Sequence, residues 1–212
     1  VMDDPAMGSI YGANLTPFEL ASWTDQEIAR AVRYGIHKTG RSLRFMPSFD
    51  YREMSLGDVA SLIAYVRSVP PVERPSHENT FGPVAKVLSL MNQMPIMFPA
   101  KVAQLDEGFA TKPPEGPTAE FGKYLANACK GCHGDNLMGG KIPGGDPAWP
   151  PAADIRLGAN PRWTEATFRE MIRTGVSPIS GAKLRPPMPI HLLSQLDDTE
   201  TVALWKYLSA AK

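Results

Sequence analysis

The chain of 212 residues carries one pattern twice. Thr24 opens an amphipathic stretch that ends at Arg33-Tyr34-Gly35, and Thr164 opens another that ends at Arg173-Thr174-Gly175. A tryptophan precedes each threonine (Trp23, Trp163). Thr24 with Glu27 is a capping box, and the closing glycines suit the left-handed position that ends a helix. Each copy then reaches a Met-Pro pair, Phe45-Met46-Pro47 and Pro187-Met188-Pro189. A second helix follows in each. Ser55 with Asp58 opens Val59 to Val66, Asp197 with Glu200 opens Thr201 to Leu208, and Tyr65 and Tyr207 occupy matching places. Upstream, Asn14 and Asp154 stand at the same interval from their tryptophans, and Asp4-Pro5-Ala6 echoes Asp146-Pro147-Ala148. Self-similarity of this kind marks a duplicated supersecondary unit. Strand-type alternation is scarce, and 21 prolines and 18 glycines punctuate the chain. The reading is all-α, with helical domains at 1–72 and 118–212.

Between them lies a Pro-rich connector, 73–117, bounded by Pro70-Pro71 and by Pro113-Pro114 and Pro117. Its middle, Val84 to Leu105, is too apolar for a free linker. A short helix near 83–92 is expected there, lying across the two domains; a patch facing a partner is the alternative. The same stretch is the nearest approach to a membrane span, and Lys86, Asn92, Pro95, Pro99 and Lys101 interrupt it. Twenty-two basic and 22 acidic residues cancel, which argues against nucleic-acid binding and long-range steering. The start at Val1 shows neither an initiator methionine nor a signal peptide, so a processed or incomplete start is expected.

Only the second copy carries Cys129-Lys130-Gly131-Cys132-His133, and these are the only two cysteines. Cys-x-x-Cys-His is the attachment signature of a c-type haem: two thiols on one helical turn add to the vinyl groups, and the histidine lies under the iron. A zinc site would need further ligands, and His37, His77 and His191 are scattered. A redox dithiol would sit beside a βαβ unit, which is missing here. Met188 is the candidate second axial ligand, because flanking prolines stiffen its loop. Met138 lies too near the cysteines to reach the opposite haem face, and Met171 falls on an apolar helical stripe with Phe168 and Ile172. Trp149, Leu157, Trp163, Phe168, Leu184 and Tyr207 are candidate pocket walls. Arg156, Lys183 and Arg185 are candidates for the haem propionates, and Pro150-Pro151 would stiffen the haem-edge loop.

Helix with Cys-x-x-Cys-His, loop, Trp-led helix, Met-Pro loop and closing Tyr-Leu helix together resemble the class I cytochrome c plan. The tandem arrangement is similar to bacterial dihaem cytochromes c, including cytochrome subunits of membrane-bound dehydrogenases. His133-Gly134 followed by Leu137-Met138-Gly139-Gly140, Asn14-Leu15-Thr16-Pro17 and Pro70-Pro71-Val72 carry the resemblance; Asp154-Ile155-Arg156-Leu157 departs from it. It implies a periplasmic electron carrier, not an enzyme, relaying electrons from a dehydrogenase or quinol-oxidising complex to a terminal acceptor such as an oxidase. A six-coordinate iron with His133 and Met188 leaves no site for substrate. The rivals are a haem enzyme (dihaem peroxidase or sulfur-compound dehydrogenase) and a docking subunit of a respiratory complex. Membrane association is expected only through a partner or an N-terminal anchor. The first copy has the methionine loop without the cysteines. Truncation is preferred over loss: a second haem, with Met46 as axial ligand, is expected, its Cys-x-x-Cys-His motif ending in a histidine about seven to nine positions before Val1.

Overall fold

The computed structural model describes residues 2–91, 108–143, 145 and 148–211. Of the apolar stretch 84–105, the part beyond residue 91 lies outside the described residues, as do Asp146 and Pro147. The chain divides into two compact units, Val1–Thr111 and Lys112–Lys212.

Unit 1 opens with an antiparallel hairpin, β1 (Met2–Asp4) and β2 (Gly8–Ile10), in register Met2↔Ile10. Asp4 makes its turn: Oδ1 accepts from the amides of Ala6 and Met7 at 2.8 and 2.7 Å. Helices α1 (Pro17–Leu20), α2 (Asp25–Tyr34) and α3 (Leu56–Ser68) follow, with a 3-10 turn at Ser48–Tyr51. Leu20, Ile28, Val59 and Ile63 form their shared core, with Trp23, Val32 and Met54 against it. Helix α4 (Pro83–Leu90) lies where a helix was expected and packs on the hairpin through Ile10 and Ala85. Residues 72–80 are tied to this unit by side chains far away in sequence. Asn14 Nδ2 donates to the Val72 and Arg74 carbonyls, and the Tyr11 amide donates to Asn79.

Unit 2 comprises α5 (Ala119–Leu125), a 3-10 turn (Ala126–Cys129), α6 (Lys130–His133), a 3-10 turn (Leu157–Ala159), α7 (Glu165–Thr174), α8 (Ile190–Leu193) and α9 (Asp198–Ala210). Ala126, Leu137, Leu157, Phe168, Ile172, Leu204 and Leu208 form its core. Helices α5 and α9 cross closely because residue 122 is glycine. A Cβ there would stand 1.9 Å from the Ala203 carbonyl oxygen and 3.0 Å from Tyr207 Cβ.

The second half of each unit has the same local plan. Helices α2 and α7 each have 10 residues, a threonine capping box and a left-handed glycine end at φ 65° and 68°. A turn then returns the chain, with Leu43 N on Gly35 O in one and Leu184 N on Gly175 O in the other. Pro47 and Pro189 each cap a single helical turn, and the closing helices α3 and α9 both run 13 residues.

Candidate haem centre

Residues 129–133 span the junction of the 3-10 turn and α6, so one turn carries both thiols and the histidine. No disulfide joins the cysteines. Cys129 packs against the core, and burial pushes its thiol up to about 11, with Cys132 adding to the rise. A reactive redox dithiol needs the opposite shift, toward thiolate, so the surroundings of Cys129 speak against that alternative. Cys132 is exposed.

His133 is buried, at 7 % exposure. Its Nδ1 lies 2.8 Å from the Ala153 carbonyl oxygen. A carbonyl only accepts, so in the neutral ring Nδ1 carries the proton and Nε2 presents a lone pair. That is the tautomer a metal ligand needs, held by an outer partner. The partner is placed by a short ladder. Gly140 N donates to Ala152 O, Ala152 N donates back to Gly140 O, and Ile155 N donates to Leu137 O. Gly139, at φ +74°, permits the approach: a Cβ there would come within 2.2 Å of the Ala152 oxygen and 2.5 Å of the Ala153 oxygen. The Leu-x-Gly-Gly turn thus aims a backbone carbonyl at the histidine. Ala153 itself gave no sequence signal, since its contribution is a main-chain oxygen.

Met188 is half-buried, between a turn closed by Met188 N on Arg185 O at 3.0 Å and the start of α8. Trp163 and Tyr207 flank the core cluster that contains Leu157 and Phe168. Trp149 stands apart from that cluster, 41 % exposed, with its ring against Gly145. Arg156 is held by Asp154, Nη2 to Oδ2 at 2.7 Å, and this pairing lowers the Asp154 carboxyl and raises the guanidinium. Lys183 and Arg185 are exposed. In unit 1, Met46 is half-buried and follows Phe45, whose φ of 55° is unusual for a bulky residue. The Phe45 ring packs against Ile10 and Ala85, which holds that backbone.

Residues 119–212 match the family model for cytochrome c. This region is a cytochrome c domain. A comparison with curated proteins gave no match. A cytochrome c domain binds haem c covalently and serves electron transfer, and Cys129 and Cys132 lie within it. The geometry of the cytochrome c domain fits the group. Two thiols share one turn, a buried imidazole presents its free Nε2, and an apolar cluster lies beside them. Such domains are typically extracytoplasmic, and among the described residues no helix is long and apolar enough to cross a membrane.

Proposed function

We propose that this protein is a periplasmic electron carrier in which Cys129 and Cys132 hold haem c by thioethers and His133 and Met188 ligate its iron. The observation that carries this reading is buried His133, its Nδ1 fixed on the Ala153 carbonyl so that Nε2 is free to bind metal. When bound, the haem supplies a one-electron Fe(III)/Fe(II) couple. The chain's residues keep the ligand geometry constant. The Gly139–Ala153 ladder holds the imidazole, and prolines on both sides of Met188 hold the thioether, so little reorganisation accompanies electron transfer. Trp163 and Tyr207 shield the haem from water, and Arg185 is available to a propionate. The donor is a dehydrogenase or quinol-oxidising complex and the acceptor a terminal oxidase or similar protein.

We further propose that unit 1 is a second haem domain with Met46 as its axial ligand. Its support is internal. Unit 1 repeats the Trp-led helix, the Met-Pro turn and the closing helix, yet α3 leaves bare the face that α9 buries. Ser61 is exposed and Tyr65 is 69 % exposed, where Ala203 and Tyr207 receive α5. A helix like α5, with its own Cys-x-x-Cys-His turn upstream of residue 1, would complete that face.

Acid–acetone extraction should leave the haem on the protein, and freely extracted pigment would refute thioether attachment. Met188→His should abolish the weak sulfur-to-iron band and lower the potential by on the order of 0.1–0.3 V, within the range axial ligands command. A pyridine haemochrome assay on the full-length native protein should give two haems per chain. One haem, with no upstream Cys-x-x-Cys-His in the gene, would leave unit 1 haem-free.

A further inference from the structure

The groove beside α2 holds two arginines that make no direct ion pair among the described residues, although Glu27, one turn away, lies within electrostatic reach of Arg30. Arg33 is only 3 % exposed. Its Nη2 donates to the carbonyls of Arg52 and Gly108 at 3.2 and 2.7 Å. Its guanidinium lies over the rings of Phe109 at 4.1 Å and Tyr34 at 5.0 Å. The Nε of Arg33 is buried without a hydrogen-bond partner, and so is the Nε of Arg30, whose Nη2 donates to the Lys38 carbonyl at 3.3 Å. Among the described residues neither arginine pairs with a carboxylate. Unit 2 treats the equivalent residue differently: Arg173 pairs with Asp198, at the first position of α9. The matching position of α3 is Leu56.

A buried guanidinium is costly to leave uncompensated. Ring faces and carbonyl dipoles offset part of that cost but carry no full negative charge. Both arginines line an open cleft of ≈ 480 Å³, walled by Ala29, Tyr34, Ile36 and Phe109. That volume lies within the range of small-molecule sites, roughly 300–1,000 Å³, and the mix of apolar wall and few polar groups is typical of them.

We propose that this cleft binds a small organic carboxylate with an apolar, planar body. The carboxylate takes the guanidinium forks of Arg33 and Arg30, whose planar donors match its two oxygens. The body lies along Ile36 and the partly exposed Phe109 ring. A bare inorganic anion would leave that wall unused, and a neutral aromatic would leave the cations uncompensated. The proposal is independent of whether unit 1 holds haem.

The test is an NMR titration of the isotope-labelled 212-residue holoprotein with sodium benzoate at constant ionic strength, with benzamide and inorganic phosphate as parallel probes. Benzoate should give saturable shifts at the amides of Ala29, Arg30, Ile36 and Phe109, and bind about tenfold more tightly than benzamide. Arg33→Gln should abolish binding. Arg30→Gln, at a less buried residue, should weaken it about tenfold and carries the test alone if Arg33→Gln does not fold. Equal binding of benzamide and benzoate, no saturable shift at the cleft, or unchanged binding by Arg30→Gln would each overturn the proposal. So would phosphate binding as tightly as benzoate, because the apolar wall would then play no part.

Discussion

Helices α3 and α9 have the same length, 13 residues, and each N-cap side chain accepts from the amide three residues on, yet their fates differ. In α9, Ala203 is fully buried beneath Gly122 of α5. In α3, Ser61 stands at the matching place in the open, and unit 1 gains its remaining packing from the β1–β2 hairpin and α4. The difference teaches that caps and periodicity make a helix, while the residue opposite each face decides what the helix is for. In unit 2 that opposing helix leads, through a 3-10 turn, into the Cys129–His133 segment, so the close crossing also sets where the proposed haem-attachment turn begins.

The most severe way to probe this contrast is to fill the crossing. Gly122→Leu would force a side chain into the Ala203 carbonyl and should destabilise unit 2 by upwards of about 3 kcal/mol, because backbone cannot give way as a flexible side chain can. Ser61→Leu, on the exposed face of α3, should change stability by no more than about 0.5 kcal/mol in the 212-residue chain. Thermal unfolding followed by circular dichroism measures both. If Ser61→Leu proves as damaging as Gly122→Leu, the α3 face is covered after all and the contrast fails.

A smaller difference separates the turns after the two Met-Pro pairs. Asp50 sits in the 3-10 turn after Met46, and burial raises its carboxyl from 3.8 to about 6. The corresponding turn of unit 2, Ile190–Leu193, carries no acid. Below the unfolded value both states hold the proton, and the contribution of Asp50 is intact. As pH rises through about 6 the folded state must ionise a half-buried group, and stability is lost. Discounted for its partial exposure, the loss is about 1 kcal/mol. Calorimetry across this window should show unit 1 weakening relative to unit 2, and Asp50→Asn should flatten the difference. An unchanged profile in Asp50→Asn would assign the titration to another group.

Much of this was legible in the chain because it is local. Thr24 with Glu27 and Asp197 with Glu200 form capping boxes, and Gly35 and Gly175 are left-handed, since a cap depends on residues three or four apart. The placement of Cys129 to His133 on one turn was legible for the same reason, since five consecutive residues set it. What escaped is long-range or main-chain. The Ala153 carbonyl that orients His133 has no side-chain signature. The β1–β2 hairpin departs from the all-helical expectation because one aspartate side chain caps a turn too short for a periodicity to register. Residues 73–80 read as connector because Pro and polar residues dominate them, yet Asn14 and Asn79 stitch them to unit 1 across sixty positions or more. The Arg156–Asp154 pair, two residues apart, also went unread, because nothing in the sequence ties those two side chains together.

The finest contrast is between two acids that each begin a helix, one in each unit. Asp25 starts α2 and pairs with one arginine, Arg67 at 2.7 Å; Asp198 starts α9 and pairs with two, Arg169 and Arg173. Both acids stand in a first helical turn, so each gains similarly from the helix dipole. Their side chains are also nearly equally open, at 68 % and 66 %. The number of arginines is therefore the main variable. Exposed pairs are worth little singly, and a shared acid gains by adding a second partner. Asp25→Asn should cost a few tenths of a kcal/mol, and Asp198→Asn about 0.5–1 kcal/mol at low ionic strength. Raising the salt to about 1 M shortens the screening length to roughly 3 Å and should bring the two costs together. A difference that survives high salt would mean that Asp198 acts through α9 capping or packing, and the arginine count would no longer explain the asymmetry between the units.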